Sequence, residues 1–201
     1  FPTGSNFLFF DDSSHYEIRG KPAIIYDGTH FLATWFDMND GRILASRVDI
    51  DGRRVDDPLL LLSTPDNSPS YGASPAVGFD GTNFLVVWIA DSGELYGARV
   101  SQAGVVLDPG GIQLTVNGNG LLRYVGIAYD GVNYLVVWRT PGPDVKGARI
   151  SASGEHLVNL DDPAGFMIST GPWARYPAVA YGGGVYLVAW HQDECANGNQ
   201  S

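Results

Sequence analysis

The chain has 201 residues, a formal net charge of -10 at pH 7 and a pI near 4.6, and its 44% hydrophobic content is enough for a buried core and excludes wholesale disorder. That charge repels phosphate backbones and anionic membranes, the 12 basic residues are scattered in sequence, and no apolar run approaches the roughly 20 residues that cross a bilayer, so neither nucleic-acid binding nor membrane insertion is expected. A single cysteine, Cys195 in the polar tail, excludes an intrachain disulfide and a cysteine-rich zinc site.

With 26 glycines, 12 prolines and 12% aromatics, the composition is that of an all-β protein with many tight turns. In chain order, Phe7 to Phe10 reads as a fourth strand standing ahead of a repeat. The repeat then follows as "KPAIIYDGTHFLATW" (21–35), "SPAVGFDGTNFLVVW" (74–88), "YVGIAYDGVNYLVVW" (124–138) and "YPAVAYGGGVYLVAW" (176–190), ending on Trp35, Trp88, Trp138 and Trp190 at spacings of 53, 50 and 52. A period of about 50 residues suits a propeller blade and is too long for leucine-rich, ankyrin or tetratricopeptide repeats.

Each copy predicts two antiparallel strands joined by a two-residue Asp-Gly hairpin. Apolar residues at consecutive positions of the second strand predict that both its faces are covered, leaving neither strand at the surface. A third strand is predicted at 42–49, 94–101 and 144–151, and a fourth at 58–63, 111–116 and 165–170, after Asp57-Pro58, Asp108-Pro109 and Asp162-Pro163. Four strands repeated four times predict a single four-bladed β-propeller over 1–201. The N-terminal strand would close the ring, and the last blade, with only "HQDECANGNQS" after Trp190, would be one strand short. The repeated tryptophans are expected to pack between blades, and Arg47, Arg99 and Arg149 to pair with Asp57, Asp108 and Asp162.

The pattern Tyr-Asp-Gly-Thr-Asn-Tyr-Leu-Val-Val-Trp, followed by Gly-Ala-Arg-Val-Ser and a glycine turn, resembles a repeat of large bacterial secreted and surface proteins. The four-blade count is similar by architecture to the hemopexin-like fold. The resemblance implies an exported, extracellular or cell-surface protein and carries no catalytic residue with it.

The turns joining strands one and two, and three and four, share one end of every blade and hardly vary, which marks that end as scaffold. The opposite end carries the variable loops and is the candidate functional face. Tyr71, Trp173, Tyr124 and Tyr176 fall in or beside its entry loops, with Asp37, Asp91, Asp193 and His191 in the others. Aromatic plates beside carboxylates suit sugar recognition, although Tyr124 and Tyr176 stand equally well in register to pack between blades. The inner strands hold no acid, and His15, His30, His156 and His191 share no register, so no catalytic set emerges. Fragments such as "DIDG" (49–52) do not complete a calcium loop, although a structural calcium, sodium or chloride ion is conceivable in a central channel. The leading expectation is a non-enzymatic, lectin-like binding or adhesion module for a glycan or a protein. Two alternatives stand beside it: a polysaccharide hydrolase or lyase using Asp37, Asp91 and Asp193, and a structural, homo-oligomer-forming propeller fragment.

Overall fold

A computed structural model describes residues 21–69, 74–116, 123–151, 158–161, 163–169 and 174–192. Each copy of the repeat opens a separate antiparallel sheet. The first runs β1 (Ala23–Tyr26), β2 (Phe31–Asp37), β3 (Arg42–Val48) and β4 (Leu60–Leu61), in that spatial order. The second repeats it as β5 (Ala76–Phe79), β6 (Asn83–Ile89), β7 (Leu95–Ser101) and β8 (Ile112–Gln113). In the third, β9 (Arg123–Tyr129), β10 (Tyr134–Arg139) and β11 (Val145–Ser151) are followed by β12 (Val158–Asn159) and β13 (Phe166–Ser169), both paired to β11. The fourth has two described strands, β14 (Ala174–Gly182) and β15 (Val185–Gln192). The segment expected to close a ring, Phe7 to Phe10, lies outside the described residues, as does Cys195.

The Asp-Gly turn is built more elaborately than a two-residue hairpin. Tyr26 pairs with Phe31, leaving a four-residue loop, Asp27 to His30. Inside it one carboxylate oxygen of Asp27 accepts the N–H groups of Thr29 and His30, both at 2.7 Å. Asp80 and Asp130 do the same for Thr82 and Asn83, and for Val132 and Asn133. The next residue, Gly28, Gly81 or Gly131, has φ of +100°, +93° or +96°, which a side chain rarely adopts.

The second strand of each sheet is the center of the packing. Phe84, Val86 and Trp88 of β6 meet Leu32, Phe36 and Ile43 of the first sheet, while Leu85, Val87 and Ile89 on its other face meet Tyr134, Val136 and Trp138 of the third. Leu135 and Val137 then face Val179, Tyr186 and Val188 of the fourth sheet. The sheets therefore stack face to face, and every buried side chain of this size contributes about 1.5–3 kcal/mol. Three of the repeated tryptophans, Trp35, Trp88 and Trp138, are buried as expected, and Trp88 Nε1 donates to the Asn67 carbonyl at 3.0 Å.

Trp190 departs from the pattern, with 38% of its surface exposed. The prediction that neither of the first two strands reaches the surface also fails: alternate residues of β1, Ile24 and Tyr26, are exposed, and so are Val185 and Leu187 of β15. The arginine pairing is shifted as well. Arg99 binds Asp108, but Arg47 binds Asp56 at 2.6 Å and Arg149 binds Asp161 at 2.8 Å, while Asp57 is solvent-exposed. In each pair the backbone N–H of the arginine also donates to the same carboxylate, so the partner is the aspartate standing opposite that N–H, which adjoins the proline at Asp108 but precedes the Asp-Pro pair by one residue at Asp56 and Asp161.

Candidate functional site

Contacts between neighboring sheets tie the repeated end together. Tyr186 donates its hydroxyl hydrogen to the Asn133 carbonyl at 2.9 Å, and Arg47 donates to the Gln102 carbonyl at 2.9 Å. These are turn-to-turn braces, and that end is scaffold.

At the other end the loops also touch. The Asp91 N–H donates to the Ser68 carbonyl at 2.9 Å, and the Ser68 hydroxyl donates to the Gly41 carbonyl, so the loop after β2, the entry to β5 and the loop after β6 form one connected surface. Asp37 ends β2 on this surface and is fully buried. One of its oxygens accepts the Asn39 N–H at 3.1 Å, and Oδ2 has no hydrogen-bond partner among the described residues. Burial pushes its carboxyl above the usual carboxylate value, against the lowering effect of the Asn39 N–H and with a further push from Asp40. Asp91 is exposed in the loop that follows β6.

Tyr124 and Tyr176 come together, their ring centroids 4.3 Å apart and their planes tilted by 51°. Both have left-handed backbones, φ +57° and +53°, at the start of their inner strands. Tyr176 is half exposed. The equivalent positions of the first two sheets, Lys21 and Ser74, are also adjacent, the Lys21 N–H donating to Ser74 Oγ at 2.8 Å. His191 is exposed in β15 and stands opposite Arg175. Tyr71, Trp173 and Asp193 lie outside the described residues.

Sequence reading missed the cations. Arg123 pairs in register with Arg139 in the third sheet, and Arg175 with His191 in the fourth, so each of these sheets carries one such pair at its variable end. The available signal was the Arg-Tyr dipeptide recurring as Arg123-Tyr124 and Arg175-Tyr176. Elsewhere, a cleft of about 420 Å³ beside β3 and β4 is lined by Arg42, Arg54, Asp40 and Asp57 with Leu59 and Leu61, a mixed-charge surface on the outer part of the first sheet. Among the described residues no three His, Cys, Asp or Glu side chains converge on a metal position, and no helix is long and apolar enough to cross a membrane.

The sequence matches no protein-family model and no curated protein. The fold does match solved structures. The GH43 endo-arabinanase from Bacillus licheniformis is 17% identical with a TM-score of 0.55, over 92% of this chain and 69% of that one. The Bacillus subtilis arabinanase Arb43A is 16% identical with a TM-score of 0.55, over 90% of this chain and 68% of that one. AofleA from Arthrobotrys oligospora is 14% identical with a TM-score of 0.54, over 82% of this chain and 46% of that one. The chain thus spans about two thirds of the two arabinanases and less than half of AofleA. At this identity the likeness shows a propeller-like all-β fold. It also runs against the leading expectation of a non-enzymatic adhesion module, because the similar folds include arabinanases and a galactanase. The secreted-repeat and hemopexin-like resemblances rest on sequence alone.

Proposed function

We propose that this chain acts on a polysaccharide as a glycoside hydrolase, its four repeats forming successive blades of an exported propeller. The reading is carried by the fold likeness to arabinanases, joined to one local observation: a buried carboxyl, Asp37, with an unpartnered oxygen at the variable end. Glycoside hydrolysis needs one carboxyl held protonated to protonate the leaving oxygen and a second, ionised one to serve as nucleophile or base. Burial raises the Asp37 carboxyl above its ordinary value, the direction the first role requires. Exposed Asp91 on the connected loop surface, or Asp193, supplies the second.

The test is reducing-sugar release from arabinan, galactan, xylan and acidic polysaccharides. Wild type is expected to cleave at least one of them, with Asp37→Asn and Asp91→Asn or Asp193→Asn each lowering kcat about 100-fold or more at little-changed KM. No release from any substrate by folded protein, or full activity in Asp37→Asn, would overturn the proposal.

A further inference from the structure

The sheets stack by one rule: the first two strands of each turn one row of side chains to the preceding sheet and the alternate row to the following one. On the preceding side, Val77 and Phe79 lie in the core shared with the first sheet, Ile127 and Tyr129 in the core shared with the second, and Val179 in the core shared with the third. The corresponding residues of the first sheet are Ile24, which is 60% exposed, and Tyr26, also exposed. On the following side, Leu32, Leu85 and Leu135 are buried, and the corresponding Leu187 is 70% exposed. Register places Ala180 opposite Leu187 and Ala178 opposite Ala189 on that side, and Val185 shares it; all are exposed.

The chain therefore carries both halves of one seam. Packing of the fourth sheet on the first within a single chain would bury both rows, and both are exposed. The half on the first sheet is already formed. Tyr26 and Phe31 stand with ring centroids 4.7 Å apart and planes tilted by 39°, as Phe79 and Phe84 do at 5.0 Å and 41°, and Tyr129 and Tyr134 at 4.8 Å and 45°. The latter two pairs are covered by the preceding sheet, so the same aromatic plate is left open at the first. The half on the fourth sheet is shallow, with alanines on its inner strand, much as Gly78 leaves room for the Tyr134 ring at the seam between the second and third sheets. An open apolar face of this kind marks a contact surface.

We propose that these two faces are the sides of an interface between copies of this chain, the Leu187 face of one protomer packing on the Ile24 and Tyr26 face of the next. Each open half calls for a sheet of this repeat presenting a particular row, and a second copy exposes that row on both counts. The contact continues between molecules the seam that already joins the sheets within one. Because its two sides differ, association is head-to-tail and closes into a ring or runs on as a row of copies. Burial of Leu187, Val185, Ile24 and the open part of Tyr26 drives it, against repulsion between chains of net charge -10. The apolar halves lie toward the glycine turns, whereas Asp37 ends β2 six residues beyond Phe31, roughly 20 Å along the strand, so the hydrolase reading stands or falls separately.

The test is sedimentation velocity of the purified chain from about 1 to about 200 µM, a range that covers weak and moderate self-association. Average mass is expected to rise from one chain toward two or more, and to rise at lower protein concentration when salt screens the charge. Leu187→Asp and Ile24→Asp, each placing a charge in the contact, should remain single chains over the same range. An equimolar mixture of these two variants should form a species of two chains and none larger, since each keeps the half that the other lacks. Circular dichroism and urea titration at about 1 µM, where the copies are apart, establish that each variant is folded. Val185→Lys and Tyr26→Lys form a second pair, for use should either aspartate variant unfold. A wild type that stays at one chain throughout, self-association that survives in either folded variant, or a mixture that stays at one chain would overturn the assignment.

Discussion

The three arginine–aspartate pairs are the same motif in three environments. Arg99 and Asp108 are almost entirely buried, with side-chain exposures of 6% and 3%, whereas Arg149 is 53% exposed. Removing one partner of a buried pair leaves an uncompensated charge, so Asp108→Ala should cost roughly 3–5 kcal/mol in urea unfolding. Asp161→Ala should cost far less, because water screens the exposed guanidinium. The carboxyls also set the acid limit of stability. The Arg149 side chain holds Asp161 below the ordinary 3.8, and the Asn133 N–H does the same for Asp130. A lowered carboxyl binds fewer protons folded than unfolded, so its stabilisation is full above about pH 4 and is lost as pH falls through the lower folded value. Asp37 has the opposite sign. Burial raises its pKa, so the folded state is favored by its protonation and that contribution is lost as pH rises from 3.8 through the folded value. The thermal midpoint of wild type should therefore fall below about pH 4, and Asp37→Asn should melt above wild type at about pH 7 but level with it near pH 3. A variant that melts lower at neutral pH would show that the ionised carboxylate is stabilising.

The sheets depend on glycines placed under their tryptophans. A Cβ at Gly111, whose φ is +75°, would lie 2.5 Å from the Trp88 ring, and one at Gly165, with φ +74°, 2.5 Å from Trp138. In this way the segment after the Asp-Pro pair lies flat over the indole of its own sheet, with Asn67 bridging Trp88 to the Gly110 carbonyl. Gly111→Ala combines overpacking with a left-handed alanine and should destabilise by about 2–4 kcal/mol, with red-shifted or broadened tryptophan emission as the indole is displaced. Much of this element was readable in the sequence. Consecutive apolar residues such as Phe84 to Ile89 announce a strand covered on both faces, and Asp80-Gly81 announces the turn. The arginine partners were not readable, because Asp56 and Asp57 are neighbors in the chain and only the strand geometry decides which one stands opposite the Arg47 N–H.

Across the molecule, burial is uneven. Leu85 is fully buried between the second and third sheets, while Leu187, its counterpart in the fourth repeat, is 70% exposed on the far face of β15. Leu85→Asp should unfold the chain, since an unpaired charge would enter a dry seam. Leu187→Asp should change stability by less than about 0.5 kcal/mol, measured by the same urea titration. A large loss at Leu187 would mean that this face is covered in solution. The seams differ as well: the first two are closed by apolar side chains, Phe36 and Ile89, whereas the corresponding residue at the third is Arg139.

The repeat itself fixed the class of fold. Its 50-residue period, its doubly covered second strand and its glycine turns depend on local backbone preference and on apolar pattern, both of which are written in neighboring residues. The tertiary structure alone decided which charges meet. Arg47 meets Asp56 and not the adjacent Asp57 because strand geometry sets Asp56 opposite the Arg47 N–H. The burial that raises Asp37 has the same origin, since desolvation, the leading cause, is set by what packs over the strand end, while the neighbors Asn39 and Asp40 add further effects of their own.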